Sequence, residues 1–198
     1  MNDTLLRIRN VATLELVPDR TARRVIAVTA FVVATALAAQ IRVPVPFTPV
    51  PLTLQTMVVL LAGVLLGPRL GAASQLTYLA MGIGGLPVFA GGQLGLAYLL
   101  GPTGGFLLAF PAAAFLAGLI TRPGARRGLG DAVLLVVGLA AASLLILLSG
   151  AAWLTTLTGD LAGAIALGVV PFLIGDAIKV ALAALIAWRL RRRTLGLV

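Results

Sequence analysis

Two residues combine reactive chemistry with an unusual setting. Asp176 and Lys179 lie in the run Phe172 to Arg189, FLIGDAIKVALAALIAWR, which is otherwise apolar until its terminal arginine. An ionised carboxylate or ammonium inside a membrane costs several kcal/mol, so such groups face protein or water and carry a function. A spacing of three puts both on one helix face. Together they offer a hydrogen-bond acceptor and a donor to a polar ligand. Two other roles are compatible with the spacing. One is an internal salt bridge that only stabilises the fold. The other is a proton relay, although no second carboxylate and no histidine lies deep in the chain to pass a proton on.

The element carrying the pair belongs to a chain made for lipid. Of 198 residues, 60% are hydrophobic and 11% charged, and the mean hydropathy is +1.10. A soluble domain carries roughly 25% charged residues. The length leaves room for about six helices of ~20 residues, and the apolar runs are continuous rather than alternating, which argues against a transmembrane barrel. The net charge of +9 would suggest nucleic acid in a soluble protein; here the arginines fall in loops and tails and set topology instead. There is no Cys and no His, which excludes disulfides, thiolate chemistry, imidazole bases and the commonest zinc sites. The first 24 residues are too long and too acidic for the n-region of a cleavable signal peptide.

In chain order, residues 1–24 form a cytoplasmic N-terminal segment in which LLRIRNVATLEL is either a surface amphipathic helix or a loose tail. Residues 25–198 form the transmembrane domain. The spans are expected at Val25–Ile41, Leu52–Leu66, Leu70–Met81, Phe106–Ile120, Asp131–Leu148 and Phe172–Arg189. In the first, Ala30, Ala34 and Ala38 give small-xxx-small spacings that allow close helix approach, a pattern that also arises by chance in so alanine-rich a helix. RVPVPFTPVP, Arg42 to Pro51, is kept from helix by Pro44, Pro46, Pro49 and Pro51; it suits a lid or plug, or else a rigid spacer. Gly82 to Gly105 holds nine of the 23 glycines and no charge. Irregular backbone at membrane depth must be buried in protein or line a cavity. Ser149 to Gly159 is expected to be a connection outside the membrane, with Trp153 as an interfacial aromatic.

Six spans place 13 of the 15 basic residues on one side, so both termini are expected in the cytoplasm of a cell-membrane protein. Arg42 alone falls outside. Lys179 is then ~15 Å from the cytoplasmic boundary and Asp176 ~5 Å further out, at ~1.5 Å per residue. The Pro loop and the Gly stretch are the segments able to cover them, which gives an outward-facing pocket. Catalysis has little support: there is no Cys or His nucleophile or base, no second deep carboxylate for an aspartyl protease, and no GxxxxGK[ST] phosphate loop. Matched inverted halves, as in many secondary transporters, are not evident.

Five stretches carry a family resemblance: QIRVPVPFTPVPLTLQT (Gln40 to Thr56), LLGPRLG (Leu65 to Gly71), YLAMGIGGLPVFAGG (Tyr78 to Gly92), LLGPTGGFLLAF (Leu99 to Phe110) and PFLIGDAIK (Pro171 to Lys179). Taken together they resemble the BioY family, the biotin-specific S components of energy-coupling factor (ECF) transporters. The resemblance covers about Ala34 to Ala187. It implies an all-α membrane protein, a six-transmembrane-helix bundle with long Pro-rich and Gly-rich outer loops, that captures biotin in its outer half. It implies delivery together with a transmembrane coupling subunit and two cytoplasmic ATPases, no cofactor, no metal and no enzymatic activity. It also implies that Asp176 and Lys179, at the GDxxK match, bind the polar head of the ligand. Gly91, Gly92 and Gln93 at the FAGG match, with Phe47, Phe89 and Tyr98 as apolar walls, complete the expected ligand set. A first-helix A-x-x-x-A, Ala30/Ala34 or Ala34/Ala38, would dock the coupling subunit. Phe106 stands where the family pattern often has Tyr, so a hydroxyl is missing there. The alternative from a different class is a stand-alone carrier or channel for a small polar solute. Lipid is the remaining partner, and nucleic acid is not expected.

Overall fold

In the computed structural model, residues 19–121 and 128–194 are described. The expected amphipathic segment before residue 19 and the loop arginines Arg122, Arg126 and Arg127 lie outside them. The helices are α1 (Arg20–Gln40), α2 (Gln55–Leu66), α3 (Pro68–Ile83), α4 (Gly95–Leu99), α5 (Gly104–Leu108), α6 (Phe110–Ile120), α7 (Leu129–Thr158), α8 (Leu161–Gly168) and α9 (Leu173–Thr194), with a 3-10 turn at Val170–Phe172. Three helical stretches, Arg20–Gln40, Leu129–Thr158 and Leu161–Leu190, are long and apolar enough to cross a membrane; Gln55–Leu66 and Gly104–Ile120 are apolar but shorter.

The first helix starts earlier than expected. Asp19 caps it, its carboxylate accepting from the Thr21 N–H at 3.0 Å, which satisfies a donor that the helix itself leaves open. The expected boundary between residues 24 and 25 therefore falls inside α1. At the other end of α1 the prolines exclude helix as expected, but the loop is closed by a ladder. β1 (Arg42–Val43) pairs antiparallel with β2 (Leu52–Thr53), Arg42 opposite Thr53 and Val43 opposite Leu52. Strands this short carry no readable alternation. The hairpin between them is tied to α8 by the Thr48 hydroxyl, which donates to the Leu167 carbonyl at 2.8 Å.

α2 is apolar on all sides, and nine of its 12 residues are buried. A helix of that kind belongs in the centre, and α2 packs against α1, α3, α6, α7 and α9. Its crossings depend on missing side chains. A Cβ on Gly118 of α6 would lie 2.6 Å from the Gly63 carbonyl oxygen, and one on Gly71 of α3 would lie 2.8 Å from the Gly63 Cα. Close backbone approach through small residues is how membrane helices gain packing without a hydrophobic drive. α2 joins α3 through Gly67 at φ 81° followed by Pro68 at the first helical turn.

The largest departure from expectation is α7, which runs for 30 residues to Thr158. Ser149 to Thr158 is helix, not a connection. Its polar side chains are satisfied without breaking the helix. Thr155 and Thr158 donate back to the carbonyls of Ala151 and Leu154, each at 2.9 Å. Ser149 and Trp153 turn inward and hold the Gly stretch: Ser149 Oγ donates to the Gly105 carbonyl at 3.0 Å and Trp153 Nε1 to the Gly101 carbonyl at 2.9 Å. Gly159, at φ 73°, ends the helix in the left-handed region.

Replacing Gly118 by Val should lower stability by about 1–3 kcal/mol or more, because the added atoms meet backbone that cannot rotate away. Gly128→Ala, where a Cβ meets no atom of the described residues within 4 Å, should change stability little. Thermal unfolding in detergent compares the two; equal loss from both would contradict the packing described.

Candidate functional site

The chemistry sits where α2, α7 and α9 meet. Asp176 and Lys179 are 5% and 8% exposed. Lys179 Nζ lies 2.9 Å from Asp176 Oδ1. The remaining groups are held by the other two helices: Ser143 Oγ of α7 donates to Asp176 Oδ2 at 3.0 Å, and Lys179 Nζ donates to Thr56 Oγ1 of α2 at 2.9 Å. Each charge is therefore neutralised by its partner and fixed by a hydroxyl, the condition under which a buried ion pair is tolerable. An ammonium has three N–H groups, and the described residues engage two of them. The third has no partner among the described residues.

The pair borders a half-open pocket of about 520 Å³, a volume that includes the solvent-open space at its mouth. Tyr98, Phe106, Phe110 and Phe172 supply aromatic wall; Val50, Pro51 and Thr53 come from the end of the Pro hairpin, and Ala90 and Thr103 from the Gly stretch. The Thr103 hydroxyl is buried and has no hydrogen-bond partner among the described residues. A second chain of hydrogen bonds braces the wall. Thr53 Oγ1 donates to Gln55 Oε1 at 3.1 Å, Gln55 Nε2 to the Tyr78 hydroxyl at 2.7 Å, and that hydroxyl to the Val88 carbonyl at 3.1 Å. It links hairpin, α2, α3 and Gly stretch.

Of the expected ligand residues, Asp176, Lys179 and Tyr98 line the cavity. Phe89 is fully buried but stands behind the wall, stacked on Tyr98 at 5.4 Å between centroids and edge-on to Tyr78 at 5.7 Å. Gly91, Gly92 and Gln93 are exposed and do not line the cavity. The two glycines have φ of 73° and 75° and make a tight turn. Gln93 contributes its backbone carbonyl to that turn, accepting from the Phe89 N–H at 3.0 Å. Phe47 is 65% exposed at the tip of the hairpin that the β1–β2 ladder closes and does not line the cavity. On α1, Ala30 is exposed and Ala34 half-buried, while Ala38 is 5% exposed. Ala38 is consumed by packing within the chain, which leaves Ala30/Ala34 as the accessible pair. The site residues missed by sequence reasoning are Thr56 and Ser143; Thr103 is one of the few side chains with chemistry in the Gly stretch but stands outside the expected ligand set. Ser143 had a signal: it is the lone hydroxyl in the apolar run AAASLLILL.

Comparison with known proteins agrees with this architecture. A family model described as "BioY family" matches residues 9–195. A probable biotin transporter BioY of Pyrococcus horikoshii is 45% identical over 173 residues, which are 87% of this chain and 99% of that protein. The biotin transporter BioY of Thermotoga maritima is 39% identical over 150 residues, covering 76% of this chain and 86% of that one. The crystal structure of the S-component for biotin from an ECF-type ABC transporter superposes with a TM-score of 0.77 at 29% identity, covering 89% of this chain and 95% of that chain. By fold and by sequence over nearly its whole length, the chain belongs to the BioY family.

Proposed function

We propose that the chain is the substrate-binding membrane subunit for biotin uptake: a six-span bundle with both termini in the cytoplasm, which captures biotin from outside and delivers it with an ATP-driven coupling module. The single observation that carries this is the cavity where a fixed carboxylate–ammonium pair meets aromatic walls. Biotin has matching parts. Its ureido ring offers two N–H donors and a carbonyl, its thiophane ring and valerate chain are apolar, and its carboxylate is an anion. Asp176 accepts from a ureido N–H, and Lys179 gives its remaining N–H to the ureido carbonyl. Tyr98, Phe106, Phe110 and Phe172 enclose the apolar part, and the Thr103 hydroxyl gains its missing partner from the ligand. The Pro hairpin and the Gly stretch form the outer rim. Ala30 and Ala34 offer α1 to the coupling subunit, which works with two cytoplasmic ATPases. Its similarity to biotin transporters and to the S-component fold supports this assignment, and the chain is then a binding and delivery protein, not an enzyme.

Calorimetric titration of biotin into the purified protein should give saturable binding; none at micromolar ligand would sink the proposal. Thr103→Val keeps the shape and removes the hydroxyl. It should leave apo stability unchanged or slightly raised while costing about 0.5–1.5 kcal/mol of biotin affinity; unchanged affinity would remove Thr103 from the ligand set. Lys179→Met strands a buried carboxylate and should destabilise the apo protein by about 3–5 kcal/mol, whereas Asp176→Leu/Lys179→Met together should cost less than that single change. Denaturant unfolding measures both, and a double variant worse than Lys179→Met would contradict the mutual neutralisation.

A further inference from the structure

Arg42 occupies a position that the pocket chemistry so far leaves unused. It opens β1 directly opposite Thr53, a cavity-lining residue. Opposite residues in an antiparallel pair project to the same face, with Cβ atoms ~5 Å apart. From there the guanidinium reaches the Gly stretch and lies against Gly91, so that a methyl on Gly91 would overlap it. The next residue back, Ala90, also lines the cavity. The Arg42 side chain thus runs along the rim from the hairpin to the Gly stretch, touching at both ends the neighbours of pocket residues.

Its charge is the second observation. Asp176 and Lys179 cancel inside the cavity. Among the described residues no carboxylate pairs with Arg42. The other described arginines lie at the opposite end of the helices: Arg20, Arg23 and Arg24 start α1, Arg69 starts α3, and Arg189 falls late in α9. A ligand that carries a carboxylate and seats its polar head on the neutralised pair meets one uncommitted described cation at this mouth.

We infer that Arg42 is the anchor for the ligand's carboxylate, its planar donor fork taking the anionic tail at the rim while the ureido head sits on Asp176 and Lys179. The inference rests on the function proposed above and adds a selectivity: the site prefers a monoanionic ligand to its uncharged amide. Gly91 has two reasons to lack a side chain, its positive φ and the guanidinium lying on it.

The test compares biotin with biotinamide, which differs only in the charge of the tail, on the full-length protein in nanodiscs. Wild type should bind biotin more tightly. Arg42→Gln should weaken biotin about two- to fivefold, the range for an exposed ion pair, and leave biotinamide unchanged. Arg42→Lys should retain part of the preference. Equal weakening of both ligands by Arg42→Gln would overturn the inference in favour of a loop-bracing role, and no change in either would overturn it outright. If wild type binds biotin and its amide equally, the carboxylate assignment fails while biotin capture stands. If it binds neither, the proposed function fails and this inference with it.

Discussion

A carboxylate and an ammonium buried among apolar helices impose a demand that the surrounding structure meets with two hydroxyls. Asp176 and Lys179 come from one helix, but Ser143 and Thr56 come from two others, so the neutral state of the pair requires α2, α7 and α9 to sit in register. The energetic reason is asymmetry. An intact buried pair contributes little net stability, while a broken one leaves a charge without water or partner. The pair therefore acts as a constraint on how the helices meet, and the cavity opens where that constraint leaves one ammonium N–H without a partner among the described residues.

The outer segments are organised by the same economy of polar groups. Glycines 101 and 105 expose carbonyls that Trp153 and Ser149 satisfy from the prolonged α7. Thr48 fastens the Pro hairpin to α8, and the Thr53–Gln55–Tyr78–Val88 chain fastens it to the Gly stretch. Part of the irregular backbone, at Val50, Pro51, Ala90 and Thr103, is thus placed on the cavity wall, while Gly91, Gly92 and the hairpin tip stay exposed. In these segments Thr103 is the exception, its buried hydroxyl lacking a partner among the described residues, and a binding site is where such a group finds one.

Much of this was legible in the sequence because its signals were local. Two charges three residues apart fix a helix face whatever surrounds them, and four prolines exclude a helix without tertiary help. What sequence could not supply were the choices decided by contacts between distant segments. Ser149, Thr155, Thr156 and Thr158 look like a polar exit from the membrane, yet each hydroxyl finds a carbonyl and α7 continues. Phe47 and Phe89 were equally plausible walls. One is exposed at the hairpin tip, and stacking behind Tyr98 hides the other. Thr56 and Thr103 lay inside recognisable stretches, but only the folded chain brings them to the pocket.

The central claim is that the Asp176–Lys179 pair is a ligand floor and not only a helix fastener. A structure of the protein bound to biotin tests it directly. The account predicts ligand density in the cavity between Tyr98 and Phe172, with the ureido ring within hydrogen-bond reach, about 2.7–3.2 Å, of the Asp176 carboxylate. Density lodged elsewhere in the bundle, with the pair untouched, would contradict it.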